Sequence, residues 1–151
     1  MARNELSPDA IEFAYGIGVE DYNALRVAVG WGELKPARAR IGLANSVYVV
    51  AAVSEERVVG SARIVGDGGY VAYIADVMVL PEYQGRGIGT AMMERIMAHI
   101  KSLAEEGCEM FTCLMSAQGK EPFYEKFGFI ERPCEGRGAG MAQFFTGNGK
   151  D

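Results

Sequence analysis

The stretch that decides the fold lies between residues 77 and 90, and its last seven residues read Gln84-Gly85-Arg86-Gly87-Ile88-Gly89-Thr90. A segment typical of a strand precedes this glycine loop, and a segment typical of an amphipathic helix follows it. Glycines at such a turn let main-chain N–H groups converge without side-chain obstruction, and a helix N-terminus adds about half a positive charge. The stretch therefore predicts a pyrophosphate cradle, with a plain glycine-rich turn as the alternative.

Two widespread phosphate-binding motifs fit the glycine loop poorly. A Walker A loop needs a lysine directly after its last glycine, and Thr90 follows Gly89 here. A Rossmann fingerprint that starts at Gly85 needs its third glycine at position 90 and an acid after the next strand, where Met115-Ser116-Ala117 stands. These mismatches disfavour nucleoside-triphosphate hydrolysis and dinucleotide-dependent oxidoreduction.

The segments on either side of the loop predict a meander followed by a long helix. Three strand-like segments cover residues 47–53, 58–65 and 70–80, with Gly66-Asp67-Gly68-Gly69 as a hairpin turn before the last one. From residue 88 to residue 103, apolar residues recur every three or four positions, which predicts an amphipathic helix closed by a glycine.

Shorter segments complete the predicted order of elements. They are a strand over 13–17, helices over 19–29 and 36–43, a strand over 109–115, a helix over 121–127, and two late strands over 129–130 and 141–145. The resulting order β-α-α-β-β-β-α-β-α-β-β indicates an α+β fold, in which helices flank a mixed, mostly antiparallel central sheet.

Length and composition fit one folded domain. The chain has 151 residues, of which 49% are apolar and 23% charged, so it can bury a full core. We predict a single domain over residues 1–146 and a frayed tail over residues 147–151. A net charge of −5 disfavours a nucleic-acid partner, and the apolar runs are too short to span a membrane.

The first residues and the cysteines indicate the compartment. The first ten residues lack the apolar core of a signal peptide. Three cysteines are an odd number, and their spacing matches no metal site. We therefore expect reduced thiols, no bound metal and a cytoplasmic location.

Two motifs resemble the signatures of one enzyme family. The strand and glycine loop from Val77 to Gly89 look like the core motif of the GCN5-related N-acetyltransferases. Further along, Phe123-Tyr124-Glu125-Lys126-Phe127-Gly128-Phe129 is similar to that family's second signature, a short helix with a tyrosine that ends in glycine and phenylalanine. Together with the order of elements over residues 45–130, these motifs identify the chain as one that resembles this family.

The resemblance implies acetyl-CoA as the acetyl donor and a primary amine as the acceptor. The residues implied in pyrophosphate binding are Gln84, Gly85, Arg86, Gly87, Ile88 and Gly89, with Thr90 opening the helix. The main chain of Val77 and Val79 would pair with the pantetheine arm, and an amide of this strand, that of Val77 by our assignment, would polarise the thioester carbonyl. No covalent intermediate is required, because the amine attacks directly in a ternary complex.

Tyr124 and Asp76 are the candidate catalytic side chains. The phenol of Tyr124 could protonate the leaving thiolate, and the alternative is a buried aromatic residue beside Phe123 and Phe127. Asp76 resembles an acid that contacts the acceptor in polyamine-type members. Strand alternation makes it face away from Tyr73 and Val77, unless a bulge shifts the alternation by one residue. The alternatives to an Asp76 base are a structural or solvated Asp76 and water relayed by Tyr73 or Glu33.

The acceptor is expected to be a small cationic amine, because the net charge of the chain is negative. A protein lysine or N-terminus is an alternative, and so is a non-catalytic domain that binds acyl-CoA as a sensor. Residues 15–45 should shape the acceptor pocket, and they include Tyr22, Arg26, Trp31 and Glu33. The exposed late strands would allow a homodimer.

Overall fold

The computed structural model describes residues 10–147, which divide into two compact units between Met115 and Ser116. The predicted single domain over residues 1–146 stays a prediction, and the predicted tail lies outside the described residues from 148 onward. No helix of the described part is long and apolar enough to cross a membrane.

The first unit contains a five-stranded sheet with three helices. Its elements are β1 Ile11–Ala14, α1 Val19–Ala28, α2 Pro36–Ala44, β2 Tyr48–Ser54, β3 Arg57–Gly66, β4 Val71–Val79, a 3₁₀ turn over Pro81–Tyr83, α3 Ile88–Leu103 and β5 Phe111–Leu114. The strands lie in sequence order, the first four antiparallel and β5 parallel to β4. The predicted α+β class is confirmed, with α3 as the crossover between the two parallel strands.

The core forms where α3 packs on the sheet. Its buried face consists of Ile88, Met92, Met93, Ile96 and Ile100, and it contacts β2, β3 and β4. Each such apolar side chain contributes about 1.5–3 kcal/mol when it is fully buried. Because this packing fixes the first turn of α3, it also fixes the position of the glycine loop before it.

The predicted hairpin turn between β3 and β4 is present, and Asp67 organises it. Its carboxylate Oδ1 accepts the backbone N–H groups of Gly69, Tyr70 and Val71 at 2.9, 2.8 and 3.0 Å. These three hydrogen bonds lower the pKa of Asp67, because they favour its charged form. The turn therefore sets the start of β4 and, with it, the register of the strand that leads to the loop.

The second unit contains the helix α4, Glu121–Glu125, and after it an isolated antiparallel bridge between Cys134 and Arg137. The late strands predicted over residues 129–130 and 141–145 are wrong, because neither segment is a strand in the structure. The first lies between the left-handed Gly128, in the turn that follows α4, and Pro133, which has no N–H to donate. The second leaves Phe144 and Phe145 97% and 90% exposed. An apolar pattern alone makes no strand, since a strand exists only through its hydrogen-bonded neighbour.

Candidate active site

The glycine loop has the backbone conformation that its glycines allow. Gly85 and Gly87 have φ of +77° and +82°, and an added Cβ at either would meet nothing within 4 Å. Glycine is therefore required at these two positions because the backbone is left-handed, and not because a side chain would clash with a neighbour. Gly87 is the N-cap of α3, and no side chain caps this helix. The first N–H groups of α3 are thus left for water or a ligand.

The side chain of Gln84 belongs to the loop's own structure. Its Nε2 donates to the carbonyl oxygen of Val79 at 3.0 Å, which ties the loop to the last residue of β4. The guanidinium of Arg86 lies 5.1 Å from the ring centroid of Tyr83. The side chain of Gln84 therefore holds the strand and the loop together, and its backbone N–H donates to the Pro81 carbonyl at 3.2 Å.

One edge of β4 is open where the strand approaches the loop. The parallel pairing with β5 runs from Val71 to Ile74 of β4 and stops there. On its other side, β4 stays paired with β3 as far as Val79. Within residues 10–147, no strand covers the outer edge of β4 after Ile74, so an extended ligand could add there like a further strand.

A bulge in β4 decides which amides face that open edge. Near the start of the strand, the Val71 carbonyl accepts a hydrogen bond from the Asp67 N–H of the hairpin turn. The backbone N–H and C=O groups of odd-numbered residues therefore point toward β3 in this half. Just past the end of the strand, the Leu80 N–H donates to the Val59 carbonyl at 2.8 Å. In this half, the backbone groups of even-numbered residues therefore point toward β3. Backbone groups alternate along a strand, so one extra residue separates the two halves. The N–H groups of Val77 and Val79 therefore face the open edge.

Asp76 is part of this bulge and adopts a left-handed backbone, with φ of +53°. Asp76 and Val77 together lie opposite Ala62, where the register between Ser61 and Arg63 of β3 shifts by one residue. The sequence pattern made a role for Asp76 conditional on such a bulge, and the bulge is present.

The Asp76 carboxylate is held by three side chains. Its Oδ2 accepts the Tyr22 hydroxyl at 2.5 Å and the Arg63 Nε at 2.8 Å, and its Oδ1 lies 3.7 Å from Arg26 Nη1. Only 16% of the Asp76 side chain is exposed. Burial and the hydrogen bond to Asp76 raise the pKa of Tyr22, so its phenol stays protonated and donates. These contacts favour the structural alternative for Asp76, and its role as a base stays a prediction.

Sequence reasoning missed Arg63 and the pairing of Tyr22 with Asp76. Arg63 is the one charged residue of the apolar segment 58–65. A lone charge in such a strand requires a partner, because an unpaired buried charge is costly. That signal was available, but it names no partner, since Tyr22, Arg63 and Asp76 come together only through the fold.

The other acceptor-side candidates lie around α1, apart from Tyr73, which lies in β4. Trp31 is 45% exposed, and the Arg26 guanidinium lies 5.8 Å from the centroid of its ring. Tyr73 is half-buried in β4, and burial and the charge of Asp76 raise its pKa. Glu33 lines an open cavity of about 940 Å³ between α1 and the start of α2. Glu20, Asp21 and Arg40 also line this cavity, so its acidic groups outnumber its basic ones.

Tyr124 lies in α4, within the second unit. Its ring centroid is 5.0 Å from that of Phe123 and 6.4 Å from that of Phe129, both edge to face. The contact with Phe123 is one of the two that the structural alternative predicted, and Phe127 packs against Phe123, while Tyr124 itself is half-buried. Its role as a general acid stays a prediction.

Comparison with known proteins identifies the family. Residues 44–131 match the family of acetyltransferase (GNAT) domains. The histone acetyltransferase TAP1 of Glycine max is 32% identical over 129 residues, which cover 78% of this chain and 54% of that protein. The chain thus spans about half the length of this relative.

Solved structures agree with this match. SA2161, a probable acetyltransferase of methicillin-resistant Staphylococcus aureus, superposes with a TM-score of 0.79 at 34% identity, covering 89% of this chain and 99% of that one. A predicted acetyltransferase of Clostridium acetobutylicum, solved with acetyl-CoA, has a TM-score of 0.59 at 19% identity over 80% of this chain and 90% of its own, a likeness in fold alone. The chain belongs to the GCN5-related N-acetyltransferase family and is an acyltransferase.

Proposed function

We propose that the protein transfers an acetyl group from acetyl-CoA to a primary amine by direct attack in a ternary complex. The observation that carries this proposal is the open edge of β4, whose Val77 and Val79 amides lead directly into the glycine loop and the N-terminus of α3. An extended pantetheine arm needs such an edge, and a pyrophosphate needs such a loop.

In this mechanism the main chain binds the co-substrate. The amides of residues 85–90 bind the pyrophosphate, and the Val79 N–H pairs with the pantetheine arm. The Gln84 N–H and the Val79 carbonyl are already bonded within the protein. The Val77 N–H donates to the thioester carbonyl oxygen, on which negative charge grows as the amine attacks. Losing one donor of this kind lowers the rate by about 10²–10³ in other enzymes, so this amide is a large contributor.

For a cationic amine, the chemical steps need two protons removed from the nitrogen and one supplied to the leaving sulfur. The cationic amine first loses one proton, and the neutral amine then forms the C–N bond to the acetyl carbon. The C–S bond breaks to release the thiolate of coenzyme A, and the nitrogen loses its second proton. Tyr124 supplies the proton to that thiolate. Both protons that the amine loses pass to water, and the Tyr124 phenolate regains its proton from water. Asp76, which Tyr22, Arg26 and Arg63 hold, takes no proton in this mechanism.

We propose a small cationic amine as the acceptor. The net charge of −5 and the cavity with Glu20, Asp21 and Glu33 in its lining support a cation over an anionic acceptor. A second candidate is a lysine of a protein, and the observation in its favour is the likeness to a relative named as a histone acetyltransferase.

Release of free thiol from acetyl-CoA tests the proposal. The purified protein is mixed with acetyl-CoA and, in turn, with a diamine, an arylalkylamine, an amino sugar and a lysine-containing basic peptide. We expect thiol release with at least one small amine, and release with the peptide alone would move the acceptor to protein lysine. Tight acetyl-CoA binding without release on any amine would contradict the proposal and favour a non-catalytic acyl-CoA-binding domain.

A further inference from the structure

We infer that Asp76 is a positioning residue, and that Tyr22 and Arg63 hold it so that the bulge of β4 presents the Val77 N–H to the thioester. This inference rests on the proposed function, because it assigns to the Val77 amide the polarisation of the thioester carbonyl. It differs from the prediction that Asp76 is the base, and the two roles give different results in the experiments below.

The first step of the argument is the parity of β4. In the half before the bulge, the odd-numbered residues point their backbone groups at β3. If that alternation continued without an extra residue, the Val77 N–H would point into the ladder with β3, and the amides of Asp76 and Met78 would face the open edge. The bulge is therefore what turns the Val77 N–H outward.

The second step is that this bulge needs to be held. A left-handed backbone is unfavourable for a residue with a Cβ, although aspartate tolerates it better than most. The Asp76 side chain offsets this cost through bonds to two other elements, Tyr22 of α1 and Arg63 of β3. Arg63 is itself anchored, since its Nη1 donates to the Ser46 hydroxyl at 3.1 Å and to the Gly42 carbonyl at 3.3 Å.

The third step concerns charge. Two arginines face the one carboxylate, and the Tyr22 hydroxyl occupies the same oxygen as Arg63 Nε. To take a proton from an amine, Asp76 would have to use its Oδ1, whose contact with Arg26 Nη1 is the ion pair at 3.7 Å. To fix the backbone, it needs only the contacts that it already makes. The geometry thus suits a residue that acts through the neighbouring amide.

Tyr22→Phe is the sharpest test, because it keeps the buried ring and the Asp76 carboxylate and removes only the hydroxyl. We expect kcat to fall by about tenfold or more, short of the 10²–10³ seen when a donor is lost outright, while the KM for acetyl-CoA changes less than about twofold. Asp76→Asn should lower kcat as well, and neither variant should move the pH at which kcat is half-maximal. Tyr70→Phe, at the exposed hairpin turn, is the matched control and should keep wild-type turnover.

A base role predicts the opposite pattern. Asp76→Asn would then remove the limb of the pH profile that reports the base, and Tyr22→Phe would leave kcat near that of the wild type. Either result would overturn the inference.

A readout that needs no activity separates this inference from the proposed function. In ¹⁵N-resolved spectra of the full chain, Tyr22→Phe and Asp76→Asn should shift the amide signals of Asp76 and Val77 and leave those of Gly85 and Gly87 in place. Folded variants in which the Asp76 and Val77 signals do not move would overturn the inference. If the wild type released no thiol, the proposed function would fail, and the inference would fail with it even if these shifts appeared.

Discussion

The phenol of Tyr124 is the group that our mechanism assigns to the leaving thiolate. Tyr124→Phe keeps the ring and its edge-to-face contacts with Phe123 and Phe129 and removes the proton donor. Because general acid catalysis contributes about 10²–10⁴ to rate, we expect kcat to fall well over tenfold with little change in the KM for acetyl-CoA. Steady-state thiol release on the best amine measures both constants. Unchanged turnover would remove Tyr124 from the mechanism.

Asp76 shows how far single residues could be predicted from the sequence. The segment predicted a strand through Asp76, and the resemblance drew attention to it, but alternation alone could not place its carboxylate. Its partners Tyr22 and Arg63 lie 54 and 13 residues away in sequence, on two other elements. A hydrogen bond between such distant residues depends on the register of β3 with β4 and on the packing of α1, and local pattern encodes neither.

Among the elements, the glycine loop allows a prediction for which a glycine of the hairpin turn serves as the control. Gly87→Ala forces an L-residue into φ of +82° at the N-cap of α3, and Gly68→Ala does the same at φ of +77° in the hairpin turn. Both changes cost about 1–2 kcal/mol of stability, so both should lower the melting temperature. Neither added Cβ meets an atom within 4 Å.

Only Gly87→Ala should weaken the binding of acetyl-CoA, because relief of its strain moves the N–H groups that receive the pyrophosphate. Isothermal titration of both variants against the wild type measures the dissociation constants. Equal affinity in the two variants would show that the loop backbone does not bind the co-substrate.

The elements that the sequence predicted well are those whose signals are local. Apolar residues that recur every three or four positions predicted α3 over residues 88–103, and the sequence of the hairpin turn predicted the pairing of β3 with β4. The late strand over 141–145 had a comparable apolar pattern and failed. The difference is the partner, since a helix bonds to itself, whereas a strand depends on a neighbour that the pattern does not specify.

For the whole molecule, binding of acetyl-CoA should appear as a rise in thermal stability. A ligand at one hundred times its dissociation constant adds about 2.7 kcal/mol to the folded state. In a chain of 151 residues, that corresponds to a rise of about 5–10 °C in melting temperature. A dinucleotide such as NAD at the same concentration should give no rise, because the glycine loop lacks the Rossmann spacing.

The same melting curve tests whether residues 1–146 form a single domain. The family match over residues 44–131 extends across the division after Met115. If one domain unfolds cooperatively, calorimetry should show a single transition, and acetyl-CoA should move all of it. Two transitions, of which acetyl-CoA moves only one, would contradict the single domain and would assign the co-substrate to one unit. A shift with NAD instead of acetyl-CoA would contradict the assignment of the loop, whichever number of transitions appears.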